Sequence, residues 1–273
     1  MTTKNSLATT WLMMLRLIEL HGIDTRQILE EIGVRPESIR DPRARLPSLL
    51  ADVVFEKAAE RIPDPAFALR AAECWHPSHL GAMGHAWLSS ETLRTGLKRM
   101  ERYAHILGNR FTYRCVEAPA GLRFVYDHGR GDAPVGPLMA DFTLSIIMDM
   151  CRTNLGDTLN PVSVNLRRPE PSDSRPYQDF YGCPICFDAR EDSFLLDNRT
   201  ADALLPTANQ QLAALFDAIL TEQLAAFSPD DLVSRCKKRL LQELTSGSPS
   251  IEALASALAM SPRTLQRRLG EHG

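Results

Sequence analysis

Residues 250–273 read SIEALASALAMSPRTLQRRLGEHG, and the order of these residues decides the fold of this end of the chain. Ile251, Leu254 and Leu258 recur at i, i+3 and i+7 with Ala255 beside them, which predicts one short amphipathic helix. Leu265 and Leu269, four apart, mark the inward face of a second. Between them Ser261 suits an N-cap, because its hydroxyl accepts from an orphan amide of the next turn. Pro262 follows at the first helical position, where a missing N–H costs nothing. Two short helices joined this tightly make a helix-turn-helix.

The second helix carries Arg263, Gln266, Arg267 and Arg268, all off the leucine face. Guanidinium groups form forked pairs with guanine edges or phosphates, and a glutamine pairs with adenine. A charged surface by itself would be an ordinary solvated face, so residue order has to decide. The order A-x-x-L-x-M-S-x-R-x-L-x-R-x-L is met by Ala255, Leu258, Met260, Ser261, Arg263, Leu265, Arg267 and Leu269. It resembles the first helix-turn-helix of the AraC/XylS family of bacterial transcription regulators. The resemblance implies a DNA-contacting set of Ser261, Arg263, Gln266, Arg267 and Arg268, with Leu265 and Leu269 holding the helix to its partner.

Two features depart from the family wording. Ala259 stands where the turn often has glycine, so ordinary helical or bridge angles are expected there. In the family a long helix and a second helix-turn-helix follow, whereas this sequence ends at Gly273. The reading therefore expects a truncated DNA-binding domain with fewer phosphate contacts, weak affinity and poor discrimination.

Composition bounds the rest. With 273 residues and 44% apolar content the chain has ample material for one large or two modest domains. Residues 11–20 are apolar but broken by Arg16 and Glu19, too short for a membrane span and without a signal-peptide start, so no membrane partner is expected. Six scattered cysteines fit a reducing, cytoplasmic setting. The net charge of -3 divides into about +2 from Ser228 onward and about -5 before it, an acidic body with a basic tail.

Upstream of the motif, Ser228 and Pro229 open a helix that Gly247 closes, and its run R-C-K-K-R (Arg235 to Arg239) is expected near phosphate. Residues 209–227 show Leu212, Leu215, Phe216, Ile219, Leu220 and Leu224 at helical spacing, a linker or a dimer seam. Further back, helices are expected over 7–20, 25–32, 49–61, 66–73, 82–89 and 92–107, the last with Leu93, Leu97, Met100 and Ala104 inward. Phe111, Tyr113, Cys115 and then Leu122, Phe124, Tyr126 alternate across a turn at 118–121, which predicts a hairpin. A helix over 141–155 and strands near 162–166 and 184–187 complete an α+β reading: a mainly helical domain with a small mixed sheet over 1–205, a linker helix over 206–227, and an all-α helix-turn-helix segment over 228–273.

The stretch L-G-A-M-G-H-A-W-L-S-S-E-T-L, Leu80 to Leu93, is similar to a segment of the arabinose-binding-type effector and dimerisation domain of one AraC subgroup, with Glu91 in place of the usual proline. Phe180, Tyr181, Cys183 and Phe187 match a second segment. The resemblance implies a small-molecule effector, promoter DNA, a second copy of the chain and RNA polymerase as partners, with no cofactor and no catalysis. Trp75, Phe124, Tyr126 and His128, near the helix-to-sheet transition, are the candidate ligand-binding residues.

Two clusters invite other chemistry. Cys183-Pro-Ile-Cys186 has no second ligand pair for zinc and no helix start to activate a thiol, so it reads as structural. Cys74, His76 and His79 lack a fourth ligand, and His79 is expected to cap the helix that follows. Catalytic and phosphate-binding signatures such as G-x-S-x-G, H-E-x-x-H and G-x-G-x-x-G do not occur. A metabolite-modifying enzyme or sensor with a vestigial helix-turn-helix, and a pure protein-interaction module, remain rivals. Neither explains why base-reading residue types occupy the exposed side.

Overall fold

The computed structural model describes residues 4–227, 236, 240, 250–258 and 260–270. It divides into two units, Met1–Asp217 and Ala218–Gly273, so the division falls inside the helix read as a linker. The expected helix over 228–247, its basic run and the turn residue Ala259 lie outside the described residues, apart from Cys236 and Leu240.

Unit 1 is α+β. A short strand β1 (Asn5–Leu7) pairs antiparallel with β2 (Arg45–Pro47), neither of which the sequence announced. The first helix α1 (Trp11–Leu20) starts after a 3-10 turn, Ala8–Thr10, four residues later than its apolar pattern suggests. Two short helices follow, α2 (Thr25–Glu31) and α3 (Pro36–Arg40), then α4 (Ser48–Arg61). Residues Phe67–Glu73, expected as α-helix, form 3-10 turns instead. After the turn Pro77–Leu80 come α5 (Ala82–Leu88) and α6 (Leu93–Leu107). The latter begins with a capping box. Thr92 Oγ1 accepts from Thr95 N at 3.1 Å while Thr95 Oγ1 accepts from Thr92 N at 3.0 Å. All four of its expected inward residues are buried.

The expected hairpin is present as β3 (Thr112–Ala118) and β4 (Gly121–Asp127), in register from Thr112 against Asp127 to Ala118 against Gly121. Gly121 is required there: its φ is +148°, and an added Cβ would stand 1.9 Å from the Leu196 carbonyl oxygen. The long helix α7 (Val135–Leu155) starts six residues before the expected point. Gly136 and Pro137 masked its onset, yet proline is tolerated in a first turn. Strands β5 (Ser163–Asn165) and β6 (Ile185–Cys186) run parallel, with helix α8 (Arg175–Tyr181) between them in sequence.

One central strand was missed. Strand β7 (Asp192–Asp197) lies between β4 and β5, giving the order β3-β4-β7-β5-β6 and a mixed five-stranded sheet. Its Phe194, Leu195 and Leu196 are all buried. A strand covered on both faces loses the two-residue alternation that marks a half-exposed one. Helix α9 (Asn198–Asp202) and α10 (Gln210–Phe227) close the series.

In unit 2 the helices Ile251–Ala257 and Pro262–Gly270 enclose Leu254, Ala255, Leu258 and Leu265, with Cys236 in the same cluster. Leu240, Met260 and Leu269 pack against its edge. Ile251, expected in the inward row, is exposed, because the row turns outward in the first turn of its helix.

Candidate functional site

Among the described residues two places are candidates for binding other molecules. The first is the outer face of Pro262–Gly270. Leu265 is 0% exposed and fixes which side of the helix is covered, leaving Arg263, Gln266 and Arg267 exposed. Arg263 and Arg267 are four apart and share a face one helical turn long. The side chain of Arg268 lies outside the described residues. Ser261 Oγ accepts from Thr264 N at 3.2 Å and stands 2.8 Å from Thr264 Oγ1, which makes it the cap. Ser250 Oγ repeats the device on the preceding helix, accepting from Ala253 N at 3.1 Å. This arrangement presents forked cationic donors and one amide, held by an apolar underside.

The second place is a cavity of about 100 Å³ in unit 1. Helix α1 contributes Met13 and Met14, α4 contributes Phe55, and α7 contributes Met139, Phe142 and Met150. The sheet supplies Tyr113 and Tyr126, whose ring centroids lie 5.7 Å apart, and Phe111 sits 5.1 Å from Tyr113. Burial holds the Tyr113 hydroxyl well above the usual tyrosine range, so it is un-ionised and able to donate. Arg110 and Arg130 also line the space.

Of the four candidate ligand-binding residues only Tyr126 borders this cavity. Phe124 is buried under the sheet, 5.3 Å from Phe194 and 5.2 Å from Tyr113. His128 lies 6.4 Å from Tyr126, and its Nδ1 accepts from Arg130 N at 3.1 Å. Burial, with the Arg167 and Arg130 charges adding to it, pushes this imidazole down to about 4, so it is neutral at pH 7. Trp75 belongs elsewhere, its Nε1 donating to Asp149 Oδ2 at 2.6 Å. The arginines were missed although the hairpin held the signal. Extending the β3/β4 register brings residue 110 beside residue 129, and an added Cβ at Gly129 would meet the Arg110 carbonyl oxygen at 1.9 Å.

The other clusters carry no metal chemistry among the described residues: no group of three or more His, Cys, Asp or Glu side chains could hold an ion. His76, rather than His79, caps the turn Pro77–Leu80, its Nδ1 accepting from Ser78 N at 3.2 Å. Burial pushes the Cys183 thiol up to about 11, which keeps it from acting as a thiolate nucleophile at neutral pH. Among the described residues no helix is long and apolar enough to cross a membrane.

Residues 22–205 match the family described as the arabinose-binding domain of AraC transcription regulator, N-terminal. The ornithine utilization regulator of Pseudomonas aeruginosa is 24% identical over 262 residues, covering 95% of this chain and 77% of that protein. The HTH-type transcriptional regulator VirS of Mycobacterium tuberculosis is 26% identical over 257 residues, covering 92% of this chain and 74% of that protein. Among solved structures, that of the transcriptional regulator CdpR from Pseudomonas aeruginosa is similar with a TM-score of 0.53 at 22% identity, covering 96% of this chain and 79% of that one. At that identity the structural likeness speaks for the fold alone.

Proposed function

Because this chain belongs to the AraC family of transcription regulators, we propose that it reads promoter DNA with Arg263, Gln266 and Arg267 and takes its effector in the cavity of unit 1. The observation that carries the DNA reading is the covered Leu265 beneath an exposed arginine pair. A helix so held enters the major groove with its cationic face toward base edges and phosphates. Arg268 belongs to the same contact set by its position in the sequence, and Ser261 serves by fixing the helix start. The effector acts by binding one arrangement of the protein more tightly than another, since a ligand of equal affinity for both shifts nothing.

Self-association fits the exposed apolar stripe of α10, where Leu212, Leu215 and Ile219 recur at i, i+3 and i+7. The chain works in the cytoplasm, where promoter DNA and RNA polymerase are, and performs no catalysis. Selection from a randomised duplex pool tests the DNA reading. At low salt, where phosphate contacts count most, the chain enriches a short sequence modestly, and the double variant Arg263→Glu with Arg267→Glu enriches none while its thermal unfolding is unchanged. Equal enrichment by that variant removes the two arginines from the interface.

A further inference from the structure

The cavity of unit 1 is lined by two kinds of side chain. Its body is apolar and adaptable, with Met13, Met14, Met100, Met139 and Met150 among the lining side chains. Unbranched thioether chains re-pack around differently shaped guests. Arg110 and Arg130 also line the space, and among the described residues no acidic side chain does.

Asp52 joins the two arginines without itself lining the cavity. Arg110 Nη1 donates to its Oδ2 at 2.5 Å, while Arg130 donates to its Oδ1 from Nε at 2.8 Å and holds Nη2 in ion-pair contact with the same oxygen at 2.7 Å. Arg130 is 4% exposed and its remaining Nη1 donates to the His128 carbonyl at 2.8 Å, so each of its three nitrogens has an oxygen within 2.8 Å. Arg110 is not satisfied in this way. Its Nε reaches the Gly129 carbonyl only at 3.5 Å, and its Nη2 has no hydrogen-bond partner among the described residues. The hydroxyl of Tyr113, another lining residue, likewise has none.

Two guanidinium groups against one carboxylate leave one positive charge in excess. A partly enclosed cation with spare donors is stabilised by an anion, and a planar carboxylate matches the guanidinium fork while adding a single negative charge. We propose that the cavity binds a small organic monocarboxylate, its head on Arg110 and its apolar body among the methionines. The size agrees with the smaller members of this class: cavities on the order of 150 Å³ hold a benzene ring, so about 100 Å³ suits a short acyl chain, and a ring once the methionines re-pack. An amine would meet the two arginines, and a neutral apolar molecule would leave the Arg110 donors unused.

This inference rests on reading the cavity as the effector site, and the experiment separates the two. Calorimetric titration of the chain with hexanoate and phenylacetate, set against 1-hexanol, 2-phenylethanol and hexylamine, measures the head-group preference. Each carboxylate is expected to bind at least about tenfold more tightly than its alcohol, with hexylamine weakest, as befits a charge-assisted pair. Arg110→Gln removes that preference and leaves alcohol binding unchanged, while Arg110→Lys keeps part of it. Met139→Trp, which fills the apolar part, weakens carboxylate and alcohol together, and it decides the matter if Arg110→Gln fails to fold. Equal binding of acid and alcohol, a preference that survives Arg110→Gln, or no carboxylate binding overturns the proposal. DNA binding by the same preparation reports on the regulator reading separately. Carboxylate binding without DNA binding leaves the site standing and sinks its role, and the reverse sinks the carboxylate alone.

Discussion

Asp141 is fully enclosed, and both Arg168 and Tyr177 donate to its Oδ2, the tyrosine at 2.7 Å. Its other oxygen has no partner among the described residues, nor do the Tyr181 hydroxyl and Asp192 Oδ2. Burial outweighs the nearby Arg168 charge and pushes this carboxyl up to about 7. The folded protein thus keeps a proton between the ordinary aspartate range and pH 7 that the unfolded chain releases. Stability falls as pH rises through that window and is flat above it. Urea unfolding at pH 5 and pH 8 checks this: relative to Asp141→Asn, the parent loses stability between the two values. If Arg168 dominated and the carboxyl were already ionised at pH 5, the difference between parent and variant would not change over that interval. No pattern in the sequence foretold this residue. A buried acid inside an apolar helix looks the same on paper as a solvated one, and only the approach of Arg168 from 27 positions away makes its environment.

Elements were legible where neighbours along the chain decide their form. Helix α6 shows its capping threonine and its inward row, and the hairpin shows its alternation and turn. Strand β7 and the onset of α7 were hidden because what fixes them is burial on two sides and tolerance of an early proline. Two substitutions test the local accounts. Ser261→Ala removes the acceptor for Thr264 N and should cost about 1 kcal/mol in unfolding of unit 2; an unchanged midpoint would deny the cap its role. Gly121→Ala places a methyl against the Leu196 carbonyl at a positive φ, so it should destabilise unit 1 by at least about 1 kcal/mol. Chemical denaturation reads it directly, and a neutral outcome would mean the β3/β4 turn can shift away from β7.

For the whole molecule, the sequence carried the family and the helix-turn-helix but only part of the cavity proposed for the effector. The motif from Ala255 to Leu269 is local, so its core and its exposed arginines could be read in order. The cavity is assembled from α1, α4, α6, α7 and the hairpin, and only Tyr126 among its residues had been singled out as a candidate. The stripe on α10 predicts that Leu212→Asp combined with Leu215→Asp weakens self-association at least about tenfold in sedimentation velocity, with unfolding unaffected because both leucines are exposed. An unaltered oligomer would place the seam elsewhere.

The central claim is that the exposed face of Pro262–Gly270 holds DNA. Fluorescence anisotropy on the duplex selected from the pool, repeated across salt concentrations for the parent and for Arg267→Ala, tests it most directly. The account predicts affinity that falls steeply with salt and a loss of about 1 to 3 kcal/mol on removing that guanidinium. Binding that ignores salt, or an Arg267→Ala variant that binds as tightly as the parent, would contradict it.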